Sequence, residues 1–126
     1  MTYRFSILFL LIFNTAMTQE INWIDWEDPK AEQVAELEDK KFLILWTWQE
    51  CKGCVKFKKR LNDRASYINK HFYTIIVNCN DDTDCRKDIY PFVEFIHPNG
   101  YNKIQLSGGD IDDNTLDNII RLKYEH

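Results

Sequence analysis

Two cysteine pairs carry the chemistry open to this sequence. Cys51 and Cys54 stand as Cys-Lys-Gly-Cys between an unbroken apolar run, residues 42–48 (FLILWTW), and a basic segment, residues 55–61 (VKFKKRL). A strand followed by a helix is the natural reading of that order, and it puts the pair at a helix start. A thiol there meets unpaired backbone N–H groups and the positive end of the helix dipole. Both favour thiolate, the form that attacks disulfides. Two intervening residues bring the second sulfur back within bonding range on the same turn. Cys51 is therefore expected as the exposed attacking thiolate, with Cys54 as the less exposed resolving thiol. Lys52 adds positive charge beside Cys51 and should lower its pKa, whereas Glu50 on the other side opposes that effect.

Cys79 and Cys85 lie at the end of a second apolar run and across the acidic stretch 81–84. No helix start or basic neighbour is evident at Cys79, so a small structural disulfide pinning the loop is the favoured expectation. Arg86 beside Cys85 keeps a second redox couple open. Structural zinc prefers paired short spacings, which only the first pair has, so no metal site is expected. Soft thiolates suit Cu(I), but no methionine motif accompanies them. His71, His97 and His126 are isolated in the sequence and are read as surface or turn residues.

The elements that must position these sulfurs follow from pattern. Residues 20–26 read as a short strand or extended lead-in. Asp28 and Pro29 open a helix as N-cap and N1, continued through 31–40 with Ala31, Val34, Ala35 and Leu37 on its apolar face. Residues 42–48 read as a central strand buried on both faces. In the basic segment Val55, Phe57 and Leu61 can face a core while Lys56, Lys58, Lys59 and Arg60 face water, an ordinary solvated face or a guide for an acidic partner. Ser66 is expected to cap a short helix through His71. Residues 73–79 and 92–96 read as strands, 85–89 as a short helix, 98–100 as a turn and 101–106 as the returning strand. Residues 107–109 (SGG) break that strand, and 113–124 form a last helix along Leu116, Ile119, Ile120 and Leu122. The order β-α-β-α-β-α-β-β-α belongs to one α/β domain. Trp23, Trp26 and Trp46 are expected in or at the edge of the core, and Trp48 near the site.

The 126-residue chain is 44% hydrophobic and 29% charged, enough for one domain with a real core. Residues 1–18 stand apart. Arg4 precedes the apolar run 5–13 (FSILFLLIF), and small residues follow at Ala16 and Thr18, the pattern of a secretory signal peptide cleaved near Thr18. The mature domain is then 19–126. Removing the leader takes away Arg4 and no acid, so the formal net charge of −4 becomes one unit more negative. That balance disfavours nucleic acid as a partner. Export also implies a compartment where disulfides persist. The last four residues, KYEH, lack the final Leu of an endoplasmic-reticulum retrieval signal. A bacterial periplasmic location is the expectation.

Three stretches together resemble the thioredoxin superfamily, most closely the exported branch that includes the carboxy-terminal domain of the bacterial membrane disulfide reductase. They are INWIDWEDPKAEQVAELEDKKFLILW, CKGCVKFKKRLNDRASYINKHFYTIIVNCN and YPFVEFIHPNGY, and the likeness spans about residues 20–124. The resemblance implies a thioredoxin-like fold: a central mixed sheet flanked by helices in a single domain. It implies that Pro91 is a cis-proline beside the cysteines, with Tyr90 offering its backbone to an extended substrate segment and Trp48 part of the substrate-facing surface. Read from its own residues alone, Pro91 would be an ordinary trans-proline starting an edge strand. The activity implied is thiol–disulfide exchange on protein disulfides or thiols, as reductase or isomerase, by a monomer. It would need no cofactor beyond the Cys51–Cys54 disulfide, and a membrane or periplasmic redox partner would recharge it. Two departures stand out. The family usually has Trp immediately before the first cysteine, where this chain has Glu50, and a buried acid six residues before it, where this chain has Leu45. Slower general disulfide reduction is expected in consequence. A redox-inactive binding module, or a Cu(I)- or Zn(II)-handling protein, is the alternative.

Overall fold

The 42–48 run organises the molecule. The computed structural model describes residues 19–37, 39–83, 85, 89–98 and 102–122. In it Lys41–Trp48 forms β2, the middle strand of a five-stranded sheet ordered β1-β3-β2-β4-β5. β1 (Ile24–Asp25) and β3 (Phe72–Cys79) run parallel to it, and β4 (Phe92–Ile96) and β5 (Lys103–Ser107) run antiparallel. Four helices flank this mixed sheet: α1 (Pro29–Ala35), α2 (Lys52–Asn62), α3 (Ala65–His71) and α4 (Asp113–Ile120). This is the expected single α/β domain.

Strand alternation divides the core in two. Leu43 and Leu45 of β2 and Val93 and Phe95 of β4 point to one face, where Phe57 and Leu61 of α2 and Leu116 and Ile120 of α4 complete the main cluster. Phe42 and Ile75 point to the other face and meet Val34 of α1 in a smaller cluster. Leu43, Leu45, Leu61 and Val93 are fully buried.

Several elements differ from expectation, each for a tertiary reason. The lead-in pairs over only two residues, because after Asp25 the chain turns to bring Asp28 into place, where its Oδ1 accepts the N–H of Lys30 at 2.9 Å. α1 ends at Ala35 and not near Lys40. Asp39 instead accepts the Tyr73 hydroxyl at 2.6 Å, Lys40 lies over the Tyr73 ring, and Lys41 is taken into the sheet opposite Phe72. Its buried face is Ala31 and Val34 alone; Ala35 and Leu37 are exposed. Ser66 does not cap α3, because Arg64 holds that position with no side-chain cap, directly after α2. Trp26 is 54% exposed and not at the core edge, since its N–H goes to the Ile76 carbonyl while its side chain remains outside the small second cluster. Val55 is also exposed: Cys54, Phe57 and Leu61 make the buried stripe, and Val55 lies to one side of it. Lys58 and Arg60 are half-buried. The leader, the centres of the 85–89 helix and the 98–100 turn, Arg86 and residues 123–126 lie outside the described residues.

Candidate redox site

The site forms where β2 runs out. The Gln49 N–H donates to the Cys79 carbonyl at 3.2 Å, closing the sheet at this end. Glu50 then adopts the left-handed conformation, with φ 62°, and so turns the chain from strand into helix. Cys51 follows as N-cap of α2 in an extended conformation. Its Sγ accepts the N–H of Cys54 at 3.0 Å, one of the four donors a helix start leaves unpaired. Cys51 and Cys54 are disulfide-bonded, with Cα atoms 5.2 Å apart. Cys51 is half-buried, while Cys54 is 3% exposed. The two sulfurs thus differ in access as their order predicts.

Pro91 sits against this helix start. The Tyr90–Pro91 peptide bond is cis. A Cβ placed on Gly53 would stand 3.6 Å from Pro91 Cδ, so the proline ring faces the first turn of α2 with room for no more than a small side chain between them. The Tyr90 ring lies 5.4 Å from Trp48. The Pro91 carbonyl accepts the N–H of Gly108 at 2.9 Å, and any Cβ on Gly108 would come within 3.0 Å of three carbons of the buried Phe57 ring. Phe57 belongs to the same helix as the cysteines, so Gly108 fastens the proline segment to α2. The SGG motif looks like a strand breaker in the sequence; this packing role depends on tertiary approach and leaves no local signal.

Trp48, Glu50, Cys51, Lys52 and Val55 line one open groove of about 450 Å³ together with Thr47 and Lys58. Thr47 is buried, its hydroxyl donating to Asn78 Oδ1 at 3.1 Å. Glu50 and Lys52 flank Cys51 at the surface. Leu45 is sealed in the main core below. Among the described residues the buried carboxylate is Glu94, which takes hydrogen bonds from Trp46 Nε1 at 2.8 Å and Gln105 Nε2 at 2.9 Å. It alternates with Val93 and Phe95, so it faces away from the cysteines.

Cys79 and Cys85 form the second disulfide, with Cα atoms 6.1 Å apart. Cys79 is 2% exposed at the end of β3, opposite Trp48 in the sheet register. The histidines are less isolated than the sequence suggests: His71 and His97 line one cleft at the other end of the sheet with Lys40, Lys41 and Lys70. Burial and those neighbouring lysines hold the His71 pKa below its usual value.

A parallel-and-antiparallel sheet with a cysteine pair opening the helix after its central strand, faced by a cis-proline, is a thioredoxin-like fold. Solved structures bear this out. Chloroplastic thioredoxin z superposes with a TM-score of 0.64 over 82% of this chain and 94% of its own, at 16% identity. The thioredoxin of Trypanosoma brucei brucei gives 0.59 over 83% of this chain and 93% of its own, at 14% identity. A protein described as DsbH oxidoreductase gives 0.58 over 84% and 88%, at 11% identity. The sequence itself matches no protein-family model and no curated protein.

Proposed function

We propose that this chain is an exported thiol–disulfide oxidoreductase that reduces or isomerises disulfides of exported proteins. The observation that carries the reading is the placement of Cys51: half-exposed, at the N-cap of α2, its sulfur already accepting a helix-start N–H. That donor stabilises negative charge on the sulfur when the pair is reduced. The likeness to thioredoxins supports the fold on which such a site is built.

In the proposed reaction the Cys51 thiolate attacks one sulfur of a substrate disulfide. The substrate S–S bond breaks, a Cys51–substrate disulfide forms, and the other substrate sulfur leaves as thiolate. Cys54, one turn along, then attacks the Cys51 sulfur. The Cys51–Cys54 bond forms, and the substrate departs with both sulfurs reduced. Two electrons have moved from the protein to the substrate, and a dithiol partner returns them; a membrane or periplasmic reductase is the partner proposed. In this reading the backbone of Tyr90 and Pro91, next to the first turn of α2, is offered for pairing with an extended substrate segment. Cys79–Cys85 is assigned a structural role, and residues 1–18 an export role in a periplasmic setting.

Cys54→Ser is the test. It removes the resolving sulfur, so mixed disulfides with partners should accumulate on Cys51 and disappear on addition of dithiothreitol. A variant that traps nothing, in a protein whose Cys51–Cys54 pair has a potential far below that of known thiol–disulfide catalysts, would favour a fixed disulfide in a binding module. Amino-terminal sequencing of the protein recovered from the periplasm of an expression host should find a start near residue 19.

A further inference from the structure

The first half of the helix that carries the cysteines is charged against its own interest, while Lys59 and Arg60 in its last turn suit the dipole. α2 reads KGCVKFKKRLN, with five cations and no acid, in a chain whose net charge is −4. Lys52 occupies its first turn, where the helix dipole favours an acid. Lys52 with Lys56, and Lys56 with Arg60, are like-charge pairs four residues apart, which oppose helix formation. Of the five, Arg60 is neutralised, by Asp113 at 3.1 Å. Among the described residues the ion pairs leave Lys52, Lys56, Lys58 and Lys59 without a carboxylate. A local rule broken at the reacting end of a helix marks a use for the charge.

The exposed members are ordered. Lys52, Val55, Lys56 and Lys59 are spaced i, i+3, i+4 and i+7, so they share one face that starts beside Cys51. Val55, at 57% exposure, is an apolar spot inside the basic stripe and lines the groove with Cys51. Ile89, at 60%, is a second one, just before the Tyr90–Pro91 bond. Stabilising the Cys51 thiolate explains Lys52. Lys59 stands in the last turn, where the dipole favours a cation, but Lys56, a full turn beyond Lys52, meets like charge at both Lys52 and Arg60 and has neither explanation.

We infer that the oxidoreductase proposed above prefers substrates whose disulfide lies beside an acidic stretch containing an aliphatic residue. The aliphatic side chain meets Val55 and the acids lie along Lys56 and Lys59. The inference rests on the oxidoreductase reading, and the chemistry remains that of the exchange already written. The stripe acts before it, by steering encounter and fixing the direction of the bound segment.

The experiment uses the purified, reduced protein and three disulfide-bridged peptides of one length. They differ only at the positions flanking the disulfide: Glu and Leu, Gln and Leu, or Lys and Leu. The acidic peptide should be reduced about tenfold faster than the basic one at low salt, with the neutral peptide between. The advantage should shrink toward one in 1 M salt, where screening acts within about 3 Å. Lys56→Gln combined with Lys59→Gln should bring the acidic-to-basic ratio close to one at low salt. Equal rates for the three peptides, or a preference that salt and the double variant leave intact, would overturn the inference while the oxidoreductase reading stands. If even the neutral peptide is not reduced, that reading falls and takes the preference with it.

Discussion

At Cys54 the question is what takes its proton. The usual acid position is filled by Leu45, fully buried between Ile76 and Val93 of the neighbouring strands, and the buried Glu94 points the other way. Leu45→Asp should therefore raise the rate of insulin-disulfide reduction per folded molecule, at a cost of about 3 kcal/mol in stability for a carboxyl placed in an apolar core. A variant that folds and is no faster would remove the missing base as the ground for expecting slow reduction. Glu50 makes a second test. Its φ of 62° suits asparagine better than glutamate, so Glu50→Asn should raise stability by about 0.5 kcal/mol in urea unfolding, and Glu50→Ile should lower it. The cysteine spacing was plain from the sequence because it is local, and the Tyr90–Pro91 bond through the family pattern. The left-handed Glu50 was not, because a non-glycine residue enters that region under tertiary constraint. Val55 reads as core because apolar spacing alone leaves its place around the helix open, and in the fold it is exposed.

The elements show where local chemistry sufficed and where packing overrode it. Asp28 in α1 was legible as a cap because Pro29 follows it, and the last helix from its apolar spacing. Ends were less legible: α1 stops short because Asp39, Lys40 and Lys41 are claimed by β3. α4 is also held by charge, for Arg64 bonds Asp117 and Arg60 bonds Asp113. The Arg64 hydrogen bond holds the Asp117 carboxyl below its usual pKa, and the Thr115 N–H does the same for Asp112, the cap of α4. A depressed carboxylate pKa contributes stability that is complete above the unfolded value, about 3.9, and is lost as pH falls through the folded one. The urea midpoint should accordingly fall below about pH 4. In Asp117→Asn that acid limb should be shallower and the neutral-pH midpoint lower. An identical limb in the variant would show that Arg64 and Asp117 are not coupled to folding.

Across the whole molecule, two disulfides stand at one end of the sheet, and the sequence already ranks them by their neighbours. Each pair joins a buried residue to a half-buried one: Cys54 to Cys51 on the groove, and Cys79 to Cys85 on a second cleft. What sets the first pair apart is the helix start at Cys51, which eases release of its sulfur as thiolate when a reductant attacks. Mild reduction followed by alkylation should label Cys51 first, with Cys79 and Cys85 labelled only at a more reducing poise. Their loop, closed across a sequence separation of 6, is short, so the chain-entropy stabilisation is about 2 kcal/mol. Replacing both by alanine should lower stability by that order in urea. It should also slow the exchange reaction, because the Cys79 carbonyl takes the Gln49 N–H and Cys79 lies opposite Trp48, directly beside the strand that leads to Cys51. Labelling of all four sulfurs at equal rates in the folded state would instead make the second pair a redox couple in its own right. Loss of stability with unchanged exchange kinetics would confine it to the loop it closes.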